Sequence, residues 1–200
     1  GINDKKQLRE LHQKRCELQP GERYSCWFLI EDALSRNELA TAETKLRELI
    51  AHLDAVKGRH EVILALKRLV RIFPGNHTYR WQLAKELEKS QKTGESAQTL
   101  MNLAELEKTK GNLDEARHAF EEVLRLQPYD QEAREELAPV YEQLNEQEKL
   151  QREQRNLAIL AILAGQIDKA QSLCREVVNN GENNAYLLVL LADLCAKTGD

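Results

Sequence analysis

Histidine and cysteine side chains are the groups in this sequence that could bind a metal or act as nucleophiles. There are five histidines and four cysteines. A zinc site needs closely spaced ligands, such as H-x-x-x-H or paired C-x-x-C motifs, and neither spacing occurs. His52 and His60 flank a turn and could approach one another, but we interpret them as surface residues. The sequence therefore predicts no metal site and no cofactor.

Phosphate-binding and acyl-transfer motifs are also absent from the sequence. It contains no G-x-x-x-x-G-K-[ST] or G-x-G-x-x-G loop to bind a phosphate, and no G-x-S-x-G turn to activate a serine. Pairs of Glu and Asp are common, as on any helical surface, and do not by themselves indicate a catalytic site. We therefore predict no catalytic residues and a protein that is not an enzyme.

The cysteines are more consistent with buried thiols than with a disulfide framework. They show no even spacing, and three of them fall where an apolar helix face would be buried. No signal peptide or apolar stretch of about 20 residues is visible. We predict a reducing, cytoplasmic environment and no membrane span. The cysteines are Cys16, Cys26, Cys174 and Cys195.

The net charge of −4 is unevenly distributed. Residues 1–96 contain 18 Lys and Arg against 14 Asp and Glu, whereas residues 97–200 contain 11 against 19. Such a charge difference could steer a partner, but ordinary solvated surfaces are the simpler interpretation. The sequence lacks the basic stripe of a nucleic-acid-binding protein, so no nucleic acid partner is expected.

Strong helix formers dominate the sequence, and only four prolines and nine glycines interrupt it. Leu, Ala, Glu, Lys, Gln and Arg lose little rotamer freedom in a helix. Apolar residues recur at helical spacing between the breaks, which predicts an all-α protein of about eleven helices. Because the loops have two to five residues, successive helices must be antiparallel.

A period of 54 residues runs through these breaks and the aromatic positions. Amphipathic runs end before each of three prolines, which stop a helix because proline has no amide proton to donate. The period could reflect a three-helix unit, or it could arise by chance from shorter two-helix hairpins, and we favour chance. The recurring positions are Pro20, Pro74 and Pro128; Trp27 and Trp81; and Leu29, Leu83, Leu137 and Leu191.

Residues 97–130 resemble a tetratricopeptide repeat along their whole length. The resemblance rests on a Leu and a small residue in the first helix, a glycine turn, a small, an aromatic and an apolar residue in the second helix, and a closing proline. In this sequence these are Leu103, Ala104, Gly111, Ala116, Phe120, Val123 and Pro128. The resemblance implies a right-handed α-solenoid superhelix of helical hairpins.

Further copies extend the resemblance, which predicts a single repeat array over residues 1–200. Residues 151–184 form a second copy, although Glu182 stands where the closing proline is expected. Residues 43–76 are a weaker match, and a truncated repeat begins at residue 185. The first residue is not Met and the last hairpin stops after one helix, so we expect the natural chain to be longer.

In the tetratricopeptide family, the first helices line a concave groove that binds a peptide or a partner helix. Carried over to this sequence, the resemblance implies a protein or peptide partner at that groove. Trp27 and Trp81 could be anchors there, or could pack between hairpins. Met101 could equally be a contact or a core residue. The groove candidates are Gln98, Met101, Glu105, Arg152, Arg155 and Ile159, followed by Tyr186 and Val189.

Two functions are consistent with this resemblance. The first is an interaction scaffold or adaptor that binds a partner segment. The second is a regulatory or assembly module of a larger enzyme or of a secretion or envelope-biogenesis protein. RNA binding by a helical repeat is a weaker third, because residues 97–200 are acidic. The sequence does not identify the partner or the oligomeric state.

Overall fold

The computed structural model describes residues 2–20, 22–53, 58–179 and 185–198. Eleven α-helices run through these residues, and the all-α class predicted from the sequence is confirmed. They are α1 (Ile2–Leu18), α2 (Arg23–Ser35), α3 (Leu39–His52), α4 (Arg59–Ile72), α5 (His77–Lys89), α6 (Thr93–Thr109), α7 (Leu113–Leu126), α8 (Gln131–Gln143), α9 (Gln147–Leu163), α10 (Ile167–Asn179) and α11 (Ala185–Thr198).

The chain divides into two compact units, Gly1–Thr99 and Leu100–Asp200. In the first unit α1 contacts α2, α2 contacts α3, α3 contacts α4 and α4 contacts α5. In the second unit α7 to α11 follow the same rule, and α9 also contacts α11. Because short loops join these helices, neighbouring helices can only be antiparallel. The predicted succession of antiparallel helices is therefore confirmed.

Each unit has its own apolar core. In the first unit the core is built around Leu46, Leu66 and Leu69, which are almost completely buried. In the second unit Ala158 and Ala170 are fully buried in a core of small and branched side chains. Alanines at such contacts let two helix backbones approach closely, and this contributes to tight packing between the helices.

The 54-residue period is present in the folded helices. Helices α2, α5 and α8 begin at residues 23, 77 and 131, and α3, α6 and α9 begin at residues 39, 93 and 147. Helices α4, α7 and α10 begin at residues 59, 113 and 167. Three-helix units therefore recur with a common register.

Capping and turn residues keep the same register. The side chains of Glu22, Asn76 and Asp130 each cap the helix that follows by accepting a backbone hydrogen bond three residues on, at 2.7, 3.3 and 2.9 Å. Left-handed residues recur too, at Asn37, Gln91 and Asn145 and at Gly111 and Gly165. A period that arose by chance from two-helix hairpins would not align helix starts, capping residues and turns. Our interpretation of the period as chance is therefore wrong, and the period is a three-helix unit.

Pro139 lies inside α8 without ending it. The helix continues from Gln131 to Gln143, so the alternative that Pro139 starts a new helix does not apply. An interior proline removes one backbone hydrogen bond and commonly kinks a helix. Buried Leu137, Val140 and Tyr141 on either side of it stabilise α8 through tertiary contacts.

Among the described residues, none of the helices combines the length and apolar character needed to span a lipid bilayer.

Candidate protein-binding surfaces

Helices α3, α6 and α9 occupy equivalent places in the three-helix period. Each buries a leucine at the same register, namely Leu49, Leu103 and Leu157. The groove candidates predicted from the sequence also occupy one register, since 98, 101 and 105 become 152, 155 and 159 after 54 residues. We call the following positions the repeat face: Thr44, Arg47 and Ala51 on α3; Gln98, Met101 and Glu105 on α6; and Arg152, Arg155 and Ile159 on α9.

Six of the nine positions of the repeat face are exposed to solvent. All three residues on α3 are exposed, and so are Gln98, Glu105 and Arg152. Arg155 is half-buried. The face therefore offers guanidinium, amide and carboxylate groups that are not part of an apolar core.

Two members of the repeat face contribute to the interior instead. Met101 is only 5% exposed, which agrees with the alternative that it fills the core. Ile159 is half-buried and packs against the core of the second unit. Their apolar side chains adjoin the polar members of the face, and their use in partner binding stays a prediction.

Trp27 and Trp81 stand at equivalent positions of α2 and α5, and both are half-buried. Trp27 packs against the core of the first unit. This contact agrees with the alternative that the indole packs between helices, and it leaves part of the ring accessible. An anchoring role for either tryptophan stays a prediction.

A buried ion pair fixes α9 against α8 in the second unit. The guanidinium group of Arg134 donates a hydrogen bond to the carboxylate of Glu153, and both side chains are largely buried. Arg134 also donates to the carbonyl oxygen of Pro128 at 2.6 Å. Glu153 also lies 3.7 Å from Nε of Arg152, which is exposed.

The same contact to a proline carbonyl recurs one period earlier. Arg80 donates to the carbonyl oxygen of Pro74 from both Nε and Nη2, at 3.3 and 3.0 Å. Arg80 and Arg134 are 54 residues apart. This arginine satisfies a carbonyl group that the proline turn leaves without an intrahelical partner.

A second polar cluster joins α7, α8 and α9. Glu121 accepts hydrogen bonds from the hydroxyl group of Tyr141 at 2.9 Å and from Nζ of Lys149 at 3.2 Å. Burial raises the pKa of Glu121, but these hydrogen bonds, together with the positive charges of Lys149 and Arg117, outweigh it and leave the pKa lowered. Burial and the hydrogen bond to Glu121 raise the pKa of Tyr141. The cluster therefore keeps Glu121 ionised and Tyr141 protonated.

The sequence did not predict a cleft that opens in the first unit between α1, α2 and α3. Its volume is about 360 Å³, and Arg9, Lys14, Arg36 and Lys45 supply more positive than negative charge to its walls. A smaller neighbouring cleft of about 260 Å³ shares Lys45. Charged residues spread over three helices give no motif, so only tertiary structure brings them together.

Helix α11 exposes two of the predicted groove residues. Tyr186 is 66% exposed and Val189 is 64% exposed. Leu187 between them is fully buried in the core of the second unit. The alternation places Tyr186 and Val189 on a solvent-facing side of the helix. Residues 180–184 and the side chain of Cys195 lie outside the described residues.

Within the part of the chain that the structure describes, no three His, Cys, Asp or Glu residues are grouped as metal ligands.

The family model of the tetratricopeptide repeat matches residues 97–130, which is the segment predicted from the sequence. The features that carry the match are in place. Leu103, Ala104, Ala116 and Phe120 are completely buried. Gly111 has a φ of 80°, a left-handed conformation that favours glycine. No curated protein matches the chain significantly.

Three solved structures are similar to this chain at low sequence identity. The MamA protein is 11% identical, with 87% of this chain and 92% of that chain covered and a TM-score of 0.34. A thermophilic tetratricopeptide repeat protein from Thermus thermophilus is 18% identical, with coverages of 78% and 100% and a TM-score of 0.26. A tetratricopeptide repeat protein from Parabacteroides merdae is 14% identical, with coverages of 93% and 90% and a TM-score of 0.27.

Proposed function

Because residues 97–130 of this chain are a tetratricopeptide repeat, we propose that the protein is an interaction scaffold in which the repeat faces of α3, α6 and α9 each contact another protein. Helical repeats of this kind bury one side of each helix against neighbours and leave another side for a ligand. A role as a protein–protein interaction module is typical of a tetratricopeptide repeat.

The repeat face has one position that is exposed in every copy, and this position supports the proposal. The first position of the repeat face is exposed on all three equivalent helices, at Thr44, Gln98 and Arg152, whereas Leu49, Leu103 and Leu157 are buried in every copy. A first position that stays outside the core on three equivalent helices supports a repeated contact surface. Core formation alone does not require this side to carry polar groups.

The chemistry of the repeat face indicates the class of partner. It contains three arginines and one glutamate, with exposed Ala51 and half-buried Ile159 as its accessible apolar residues. Arginine forms strong, often bidentate hydrogen bonds with carboxylates and also stacks on apolar and aromatic surfaces. A segment with acidic side chains beside apolar ones would satisfy both kinds of group.

Charge reversal on the repeat face tests this proposal. The chain is immobilised, and retained proteins are identified by mass spectrometry and then purified. We expect Arg47→Glu and Arg152→Glu each to weaken binding of the purified partner about tenfold, equivalent to about 1.4 kcal/mol. Titration calorimetry measures the dissociation constants, and circular dichroism checks that each variant remains helical.

A matched control separates the repeat face from general electrostatics. Lys85→Glu and Arg175→Glu make the same charge reversal at exposed positions of α5 and α10 outside the repeat face. We expect these variants to bind normally. Equal weakening by the control and face variants would contradict the proposed surface. Loss only in the Trp27→Ala/Trp81→Ala double variant would move the site to α2 and α5.

A further inference from the structure

Two cysteines of the first unit lie against one another. The Sγ atoms of Cys16 on α1 and Cys26 on α2 are 3.3 Å apart. A disulfide requires the two sulfur atoms to be about 2.05 Å apart, with a specific dihedral angle. The two sulfur atoms must therefore move closer together than they lie in this structure for the bond to form. The sequence gives no sign of this pairing, because the spacing of ten residues matches no redox motif.

The pair is within reach of a small molecule. Cys16 is half-buried and Cys26 is buried. Both line the cleft of about 260 Å³, where Lys45 and His52 of α3 are close by. Cys174, in the second unit, is also buried. The first unit therefore holds a thiol pair that solvent can approach from one side.

The Cys16 thiol stays protonated while the pair is reduced. Burial, together with the hydrogen bond and charge of Cys26, raises the pKa of Cys16 to about 12. A thiol of this kind reacts slowly with oxidants, because the thiolate is the nucleophile. Once one sulfur is activated, however, its neighbour is already placed to attack it, and proximity accelerates that second step.

We propose that Cys16 and Cys26 are a modification site, at which a low-molecular-weight disulfide of the glutathione class converts the two thiols into an intramolecular disulfide. The Cys16 thiolate attacks the glutathione disulfide, forms a mixed disulfide and releases one glutathione thiolate. The Cys26 thiolate then attacks the Cys16 sulfur and releases the second glutathione. Two thiols lose two protons and two electrons, and one glutathione disulfide becomes two glutathione thiols.

The bond would join α1 covalently to α2. The larger cleft uses α1 for one wall, through Arg9 and Lys14, and α2 for another, through Leu29 and Arg36. Oxidation therefore fixes two walls of this cleft to each other, whereas reduction leaves them held by noncovalent contacts. The disulfide would also close a loop between Cys16 and Cys26. This loop reduces the conformational freedom of the unfolded chain, which favours the folded state.

Incubation with mixtures of reduced and oxidised glutathione tests the proposal. The chain is quenched with acid, alkylated with a maleimide in denaturant, and analysed by intact mass and by peptide mapping. Its four cysteines all become alkylated in the reduced protein. In the oxidised protein we expect two of them to be protected, with the peptides that contain Cys16 and Cys26 linked, and a midpoint of thermal unfolding higher by about 5 °C.

Single serine variants provide the controls. Cys174→Ser is expected to leave the oxidation and its thermal shift unchanged, and Cys16→Ser and Cys26→Ser are each expected to abolish both. The proposal is overturned if the wild-type chain keeps four reactive thiols in oxidised glutathione. It is also overturned if both cysteines carry separate glutathione adducts, or if links form to Cys174, to Cys195 or between chains. The wild-type result decides these outcomes even if a variant does not fold.

Discussion

Arg134 and Glu153 form an ion pair in the interior of the second unit, with side-chain exposures of 13% and 5%. The pair joins α8 to α9, and the guanidinium group also reaches the carbonyl oxygen of Pro128. Buried charges cost several kcal/mol of desolvation, which only good geometry and additional hydrogen bonds offset. The pair therefore matters more for the position of α9 than for net stability.

Removing one partner of this pair should be costly. We expect Glu153→Ala to lower the free energy of unfolding by about 3–5 kcal/mol, because Arg134 would remain buried without its carboxylate. Urea unfolding followed by circular dichroism measures the change. Glu148→Ala, at an exposed position of the same helix, is the control and should lie within about 0.5 kcal/mol of wild type. A small loss in Glu153→Ala would mean that solvent reaches Arg134.

The Glu121 cluster predicts a loss of stability in acid. The pKa of Glu121 is lowered from its ordinary value of 4.5 in the folded protein. The stabilisation that ionised Glu121 gives to the folded state is therefore present above about pH 4.5. It is lost as the pH falls through the lower pKa of the folded protein. We expect Glu121→Gln to lose less stability than wild type between about pH 5 and about pH 3.

Thermal unfolding at a series of pH values measures this difference. Glu142→Gln changes an exposed carboxylate on α8 and should follow the wild-type curve. The hydrogen bonds from Tyr141 and Lys149 lower the pKa of Glu121 against the effect of its burial. Parallel pH curves for wild type and Glu121→Gln would therefore show that this cluster does not lower the pKa of Glu121.

The left-handed turn residues predict opposite effects for two substitutions. Gly111→Ala should cost about 1–2 kcal/mol, because an L side chain is strained at its φ of 80°. Gln91 has a φ of 58°, so Gln91→Gly should relieve strain and gain about 0.5–1 kcal/mol. Denaturant unfolding measures both changes.

Gly75→Ala is the matched control for these turns. Gly75 has no left-handed φ, and a Cβ added there would meet no atom within 4 Å. We expect no loss of stability in this variant. If Gly75→Ala were as destabilising as Gly111→Ala, the left-handed backbone conformation of Gly111 would not be the reason for the loss.

Phe120 should be among the most sensitive core positions of the tetratricopeptide repeat. It is completely buried in α7, and Phe120→Ala should cost about 3–5 kcal/mol through lost burial and the cavity left behind. Tyr129→Ala removes another aromatic ring at a position that is 81% exposed, and should change stability little. Thermal unfolding of the two variants compares them directly.

Much of the fold could be predicted from the sequence because its signals are local. Pro74 and Pro128 stop helices, and Gly111 takes the left-handed conformation that only glycine adopts readily. Apolar residues at helical spacing, such as Ala116, Phe120 and Val123, mark the buried side of α7. These signals also predicted the tetratricopeptide repeat at residues 97–130, and the family model confirms it.

The candidate site was less predictable. The register of Gln98 and Arg152 came from the family resemblance, and both residues are exposed as a contact surface requires. Met101 came from the same register but is buried. Periodicity predicts the direction of a side chain from its helix, whereas burial also depends on how closely the neighbouring helix approaches.

By itself, the sequence determined the helices, their order and the repeat at residues 97–130, because proline, glycine and apolar periodicity act over a few residues. Only the tertiary structure decided that the 54-residue period is a three-helix unit. It also brought Arg134 to Glu153 and Cys16 to Cys26. These pairs join different helices, and their distances depend on packing contacts that no local pattern encodes.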